Sequence, residues 1–158
     1  MIRNRLQQCA ALIPPPLMFA ASFVLGLFLQ RWLGLGPEAP PSRPLQFVAI
    51  LIFGAGILLG LWAVGLFARH RTTIIPHGDS SALILQGPYR FTRNPMYLSL
   101  SLAYVGLVLW LQCWVALFFL SIPLWLLGHF IVPMEESQMR KRFGVAFDTY
   151  CNRVRRWL

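Results

Sequence analysis

Acidic side chains are nearly missing from this sequence. Five Asp and Glu stand against fourteen Lys and Arg in 158 residues, and only 12% of the chain is charged while 57% is hydrophobic. From Asn94 to Met134, a run of 41 residues, no Asp, Glu, Lys or Arg occurs at all. Soluble domains carry roughly a quarter charged residues, so this composition is that of an integral membrane protein. The net charge of +9 would suit a nucleic-acid binder, but such a protein has no use for several uncharged runs of about twenty residues. Cysteine is also scarce. Cys9, Cys113 and Cys151 are odd in number and lack metal-ligand spacing, so they are expected as free thiols and no metal site is expected. Repeats and low-complexity segments are missing too, which leaves a single domain over 1–158.

What is present is a succession of apolar runs. The first, Ala10 to Leu29, follows a basic start as a signal peptide would, yet it is long and ends without a small-x-small site. It is expected to be retained as a first span, beginning near Pro16 because proline is accommodated at a helix entry, and ending around Leu33. The turn-rich "GLGPEAPPSRP" separates it from a second run, Leu45 to Phe67. The uncharged stretch from Asn94 would measure about 60 Å as one helix, twice the ~30 Å hydrocarbon core, so it must fold back. Spans from about Pro95 to Trp110 and Trp114 to Val132 fit, with a tight turn near Gln112 and a bend at Pro123.

The expected fold class is therefore all-α, an integral membrane bundle of about four transmembrane helices with residues 1–68 supplying the first two spans. Twelve Lys and Arg fall on one side of it and only Arg31 and Arg43 on the other. The positive-inside rule makes the crowded side cytoplasmic, with both ends of the chain there, in the inner membrane if the cell is bacterial. Beyond the fourth span, Met139, Phe143, Phe147, Tyr150, Val154 and Trp157 recur at helical spacing, which predicts one amphipathic interfacial helix.

The hairpin has a chemical consequence. It brings Tyr89, Arg93, Asn94 and Tyr97, ahead of the third span, near His129, Glu135 and Glu136 at the end of the fourth. Taken singly, each has a plain reading: arginines as cytoplasmic anchors, tyrosines as interfacial belt residues, the acidic pair as partners of a helix dipole. Together they put a Gly-Pro turn, aromatic faces, an Arg-Asn-Pro helix start and paired carboxylates at one bilayer interface.

"GPYRFTRNPMY" followed by "EESQMRKRFGVAFDTYCNRVRR" resembles the isoprenylcysteine carboxyl methyltransferase family and its phospholipid methyltransferase relatives, over about residues 69 to 156. The resemblance implies a membrane-embedded methyltransferase that uses S-adenosylmethionine, releases S-adenosylhomocysteine and needs no Rossmann sheet. The chain has no Gly-x-Gly-x-x-Gly. Carried over by position, Gly87 and Tyr89 would wrap the cofactor, Asn94, Pro95 and Tyr97 would line its pocket, and Glu135 and Glu136 would hold its polar ends. His77 and the backbone near Leu85 would add contacts.

A donor that carries a sulfonium and an amino group suits carboxylates and aromatic faces, and the catalytic set implied is Arg93, Glu135 and Glu136, with Arg93 orienting an acceptor oxygen. Asn94 stands where the family pattern has His, which keeps hydrogen bonding and removes a titratable ring. The acceptor implied is a lipophilic small molecule or lipid from the bilayer: a prenylated carboxylate, as in isoprenylcysteine O-methylation, or alternatively a phospholipid amine. A non-catalytic scaffold binding anionic lipid is the competing class, whereas transport is disfavoured because no span carries Asp, Glu, Lys or Arg near the midplane.

Overall fold

The computed structural model describes residues 13–70 and 83–158, and these are helical, with short connections. Helix α1 runs over Pro15–Trp32, α2 over Arg43–Arg69 and α3 over Pro95–Leu111. A fourth helical rod, α4, extends over Trp114–Phe143, and α5 over Val145–Arg153. Helices α1, α2 and α3 each start with proline in the first turn, where its missing N–H costs nothing.

Two helices, Arg43–Arg69 with 27 residues and Trp114–Phe143 with 30, are long and apolar enough to cross a membrane. The expectation was four full spans. Helices α1 and α3 have 18 and 17 residues, so each is only about 26 Å long, at the short end of what a hydrocarbon core requires.

The expected hairpin is present. Helix α3 ends at Gln112, whose φ of 49° and ψ of 38° place a non-glycine residue in the left-handed region. Such a conformation costs roughly 1–2 kcal/mol. A remote side chain compensates: Gln30 of α1, 2% exposed, donates from Nε2 to the Gln112 carbonyl at 2.9 Å and accepts the Val115 N–H on Oε1 at 3.0 Å. One amide thus satisfies both sides of the turn.

Helices α2 and α3 pack along each other and α1 lies against the first half of α4. In lipid no hydrophobic gain drives helix pairing, so close approach of small residues has to. A Cβ added at Gly106 would stand 2.7 Å from the Phe53 backbone, and one at Gly56 would stand 2.7 Å from Ala103 N. Tyr104 joins α3 to α4 by donating to the Ala116 carbonyl at 2.6 Å, its ring edge-packed with Phe19 and Phe23.

Two features of α4 shape the site. The hydrogen-bond ladder is interrupted at Leu120 while the backbone stays helical, since Pro123 offers no N–H to the preceding turn. At Leu127–Ile131 the helix widens into a π segment, which adds a residue to the turn and rotates everything beyond it. The polar stretch Val132–Phe143 follows directly.

The apolar stripe expected on one amphipathic helix is divided. Gly144, at φ 53° and ψ −128°, ends α4 and starts α5, and Val154 is already extended at φ −123°. Helical projection therefore fails beyond Arg153, and Trp157 reaches the core by a returning chain instead.

Candidate functional site

The segment before α3 is built to be rigid. Gly87 has φ of +60°, a conformation L side chains avoid, and it opens a single 3-10 turn over Gly87–Arg90. It also lies flat on α2, because a Cβ there would meet Leu66 at 2.9 Å and Trp62 at 3.0 Å. Tyr89, 8% exposed, packs edge-on against Phe67 and offers its carbonyl to the Tyr150 hydroxyl at 2.7 Å. Burial first, then the neighbouring Tyr150 and Glu135, push the Tyr89 hydroxyl well above its ordinary pKa, so it is a neutral donor.

Tyr97, in the first turn of α3, donates to Glu135 Oε1 at 2.6 Å. Glu135 sits past the apolar part of α4 and is half-buried, and no arginine among the described residues pairs with it. Desolvation dominates: it pushes the Glu135 carboxyl up to about 7, Tyr97's hydrogen bond opposes this, and the adjacent Glu136 adds to it. The result is a carboxylate poised to change protonation near neutrality.

Glu136 is the opposite case. Arg156 grips it with two bonds, Nε to Oε1 at 3.0 Å and Nη2 to Oε2 at 2.6 Å, while Arg93 Nη1 approaches Oε1 at 3.3 Å. Such a bidentate, partly buried pair is strong and directional. Arg93 Nη1 also lies 2.6 Å from Cys151 Sγ, while its Nε is buried with no hydrogen-bond partner among the described residues. An orphaned guanidinium N–H demands an acceptor, and the group is free to take one from a ligand.

Asn94 precedes α3 without capping it. Its Nδ2 donates to the Arg156 carbonyl at 2.9 Å and its N–H to Thr92 Oγ1 at 3.2 Å. Pro95 is buried at the first position of α3, and Leu85 is exposed.

Of the residues singled out in the sequence, Tyr97 meets Glu135 and Arg93 meets Glu136, as the hairpin requires. His129 does not join them: it is exposed, stacked on Trp125 at 5.1 Å, with Nδ1 3.1 Å from the Trp125 carbonyl. His77 lies outside the described residues. Sequence reasoning missed Thr92, Cys151 and Arg156. The signal was hidden because Arg156 was projected onto a helix that stops three residues earlier.

Chemically, the cluster offers a titratable carboxylate beside aromatic rings, an arginine with an open N–H and a second carboxylate already neutralised. No group of three or more His, Cys, Asp or Glu able to hold a metal occurs among the described residues. Neither a curated protein nor a solved structure matches the chain significantly. The family model for phospholipid methyltransferases matches residues 45–146, close to two thirds of the chain, running from α2 through the cluster to the start of α5. With Arg93, Asn94, Tyr97, Glu135 and Glu136 all inside the matched residues, the chain belongs to the phospholipid methyltransferase family.

Proposed function

We propose that this protein is an S-adenosylmethionine-dependent methyltransferase that methylates the amine headgroup of a lipid at the cytoplasmic membrane interface. The observation that carries the reading is the Tyr97–Glu135 pair, a 2.6 Å hydrogen bond holding a half-buried carboxylate that no arginine among the described residues neutralises. An amine acceptor must lose a proton before it can attack, whereas a carboxylate acceptor needs no base and would be repelled by Glu135. Isoprenylcysteine-type O-methylation is therefore the weaker fit.

The residues fit the cofactor on the chemistry of their donor set: Glu135 and the tyrosine faces suit a cation, and the unpartnered Nε of Arg93 suits a carboxylate or phosphate. When bound, S-adenosylmethionine supplies an electrophilic methyl carbon on a sulfonium. Glu135 would take one proton from the acceptor ammonium, freeing the nitrogen lone pair to accept the methyl group, with S-adenosylhomocysteine as the leaving group. Glu135 then returns the proton to water. A base titrating near 7 is well matched to this task. Tyr97 keeps the carboxylate oriented, and Glu136, fixed by Arg156, holds Arg93 where it can receive an anionic oxygen.

The same reading puts four helices in the bilayer, α1 and α3 with local thinning, and both chain ends on the basic, cytoplasmic side. A reporter fused after Leu158 should be cytoplasmic, and an external signal would overturn that topology.

The test is methyl transfer from labelled S-adenosylmethionine in vesicles containing phosphatidylethanolamine, beside vesicles lacking it and supplied with a farnesylcysteine analogue. Label should enter the lipid amine, and Glu135→Gln should lower the rate about 100-fold or more, as loss of a general base does. Label in the farnesylcysteine carboxylate alone would reverse the acceptor. Failure of the purified protein to bind S-adenosylhomocysteine would remove the methyltransferase reading.

A further inference from the structure

Residues 154–158 leave α5 and return across the start of α3, making several polar contacts with the cluster. Arg155 accepts the Arg93 N–H on its carbonyl at 3.0 Å. The Arg156 carbonyl accepts from both Thr92 Oγ1, at 3.1 Å, and Asn94 Nδ2, at 2.9 Å. The Arg156 guanidinium holds both oxygens of Glu136, and Trp157 packs on the core formed by α1, α3 and α4. Main chain and side chain of one residue thus tie the entry of α3 to the acidic pair on α4. This segment lies beyond the residues the family model matches.

We infer that the 154–158 segment is a strap that fixes the cofactor site, and that Arg156 is its positioning residue, acting through Glu136 and Asn94 rather than on the reacting atoms. The inference rests on the methyltransferase reading. Its physical basis is that Thr92, Arg93 and Asn94 sit in a non-helical link, where the strap supplies acceptors that a regular helix would otherwise provide. The Arg93 N–H, the Asn94 amide and the Thr92 hydroxyl all find their acceptors on the strap. Without it Glu136 would keep, among the described residues, the 3.3 Å approach of Arg93, and Arg93 would be held by that contact and Cys151 Sγ alone. The forked geometry also matters, since lysine offers one point charge where arginine offers two parallel N–H groups.

Calorimetric titration of S-adenosylhomocysteine into the full-length protein in detergent tests this, using Arg156→Gln, Arg156→Lys, Glu136→Gln and the Arg156→Gln, Glu136→Gln double variant, each checked by its melting temperature. Arg156→Gln should weaken binding about tenfold or more, the scale of losing a charged hydrogen-bonded pair. Arg156→Lys should recover only part of it, and the double variant should bind no worse than Glu136→Gln alone, because the two residues act as one unit. Wild-type affinity in Arg156→Gln, or strict additivity in the double variant, would overturn the strap while leaving the methyltransferase reading intact. Absence of binding to the folded wild type would instead remove both. Should Arg156→Gln fail to fold, Arg156→Lys carries the same decision: wild-type affinity there refutes the need for the fork, and a loss supports it.

Discussion

Tyr97 and Glu135 are separated by 38 residues and share a 2.6 Å hydrogen bond, one from the first turn of α3 and the other from just past the π segment of α4. That bond is the shortest statement of what the hairpin accomplishes: it turns a long sequence separation into a direct contact. If the bond serves to orient Glu135, removing either partner should be costly in different ways. If Glu135 is the base, Glu135→Gln should lower turnover about 100-fold or more. Tyr97→Phe leaves the carboxylate but frees it to rotate, and should lower kcat about tenfold with a smaller change in affinity for S-adenosylhomocysteine, read by single-turnover methyl transfer.

The same carboxyl predicts a pH dependence of stability. Burial raises its pKa from 4.5 to about 7 in the fold, so the native state binds more protons than the unfolded state between those values. Its favourable contribution is complete below about 4.5 and is lost as the pH climbs through about 7. The melting temperature of the ligand-free protein should therefore fall between pH 5 and pH 8 by more than that of Glu135→Gln. A cationic ligand would reverse the bias, and at pH 6.5 its binding should release protons. Calorimetry in buffers of different ionisation enthalpy would detect them, and Glu135→Gln should lose that release.

At the opposite end of the bundle, Gln30 satisfies the two backbone groups that the hairpin turn leaves open. Gln30→Leu is close in volume but takes from the half-buried Gln112 carbonyl and Val115 N–H the partner that Gln30 supplies. The expected loss is roughly 1–3 kcal/mol, seen as a lower melting temperature with no change in helix content before unfolding. Binding of S-adenosylhomocysteine should be little affected, since the turn is a helix length away from the acidic pair.

Much of this architecture was legible beforehand because it follows from length and charge. An uncharged stretch too long for one crossing dictated the hairpin and hence the meeting of Tyr97 with Glu135 and Arg93 with Glu136. Proline at helix starts marked α1 and α3 to within a residue or two. The strap was not legible, because its key contacts come from carbonyl oxygens of Arg155 and Arg156, and main-chain acceptors carry no sequence signal. The two environments of the acidic pair were also invisible. Glu135 and Glu136 are adjacent and chemically near-identical, and only their rotation about α4, set by the π segment, gives one to Tyr97 and the other to two arginines.

Gly144 decides whether that rotation reaches the strap. Its φ of 53° with ψ of −128° lies outside the regions open to L residues, yet an added Cβ would meet nothing within 4 Å. Gly144→Ala therefore tests conformation without steric conflict. The substitution should cost about 1–3 kcal/mol, the range for a residue forced into such a region, or be relieved by α4 continuing helically into α5. Relief would swing α5 away and carry Cys151 and Arg156 from Arg93 and Glu136, which the structure holds at 2.6 Å in each pair. Either route weakens S-adenosylhomocysteine binding, and alkylation of Cys151 by a maleimide, followed by mass spectrometry, tells them apart. Faster alkylation than wild type means the helices have merged, and an unchanged rate with a lower melting temperature means the strain is stored in place.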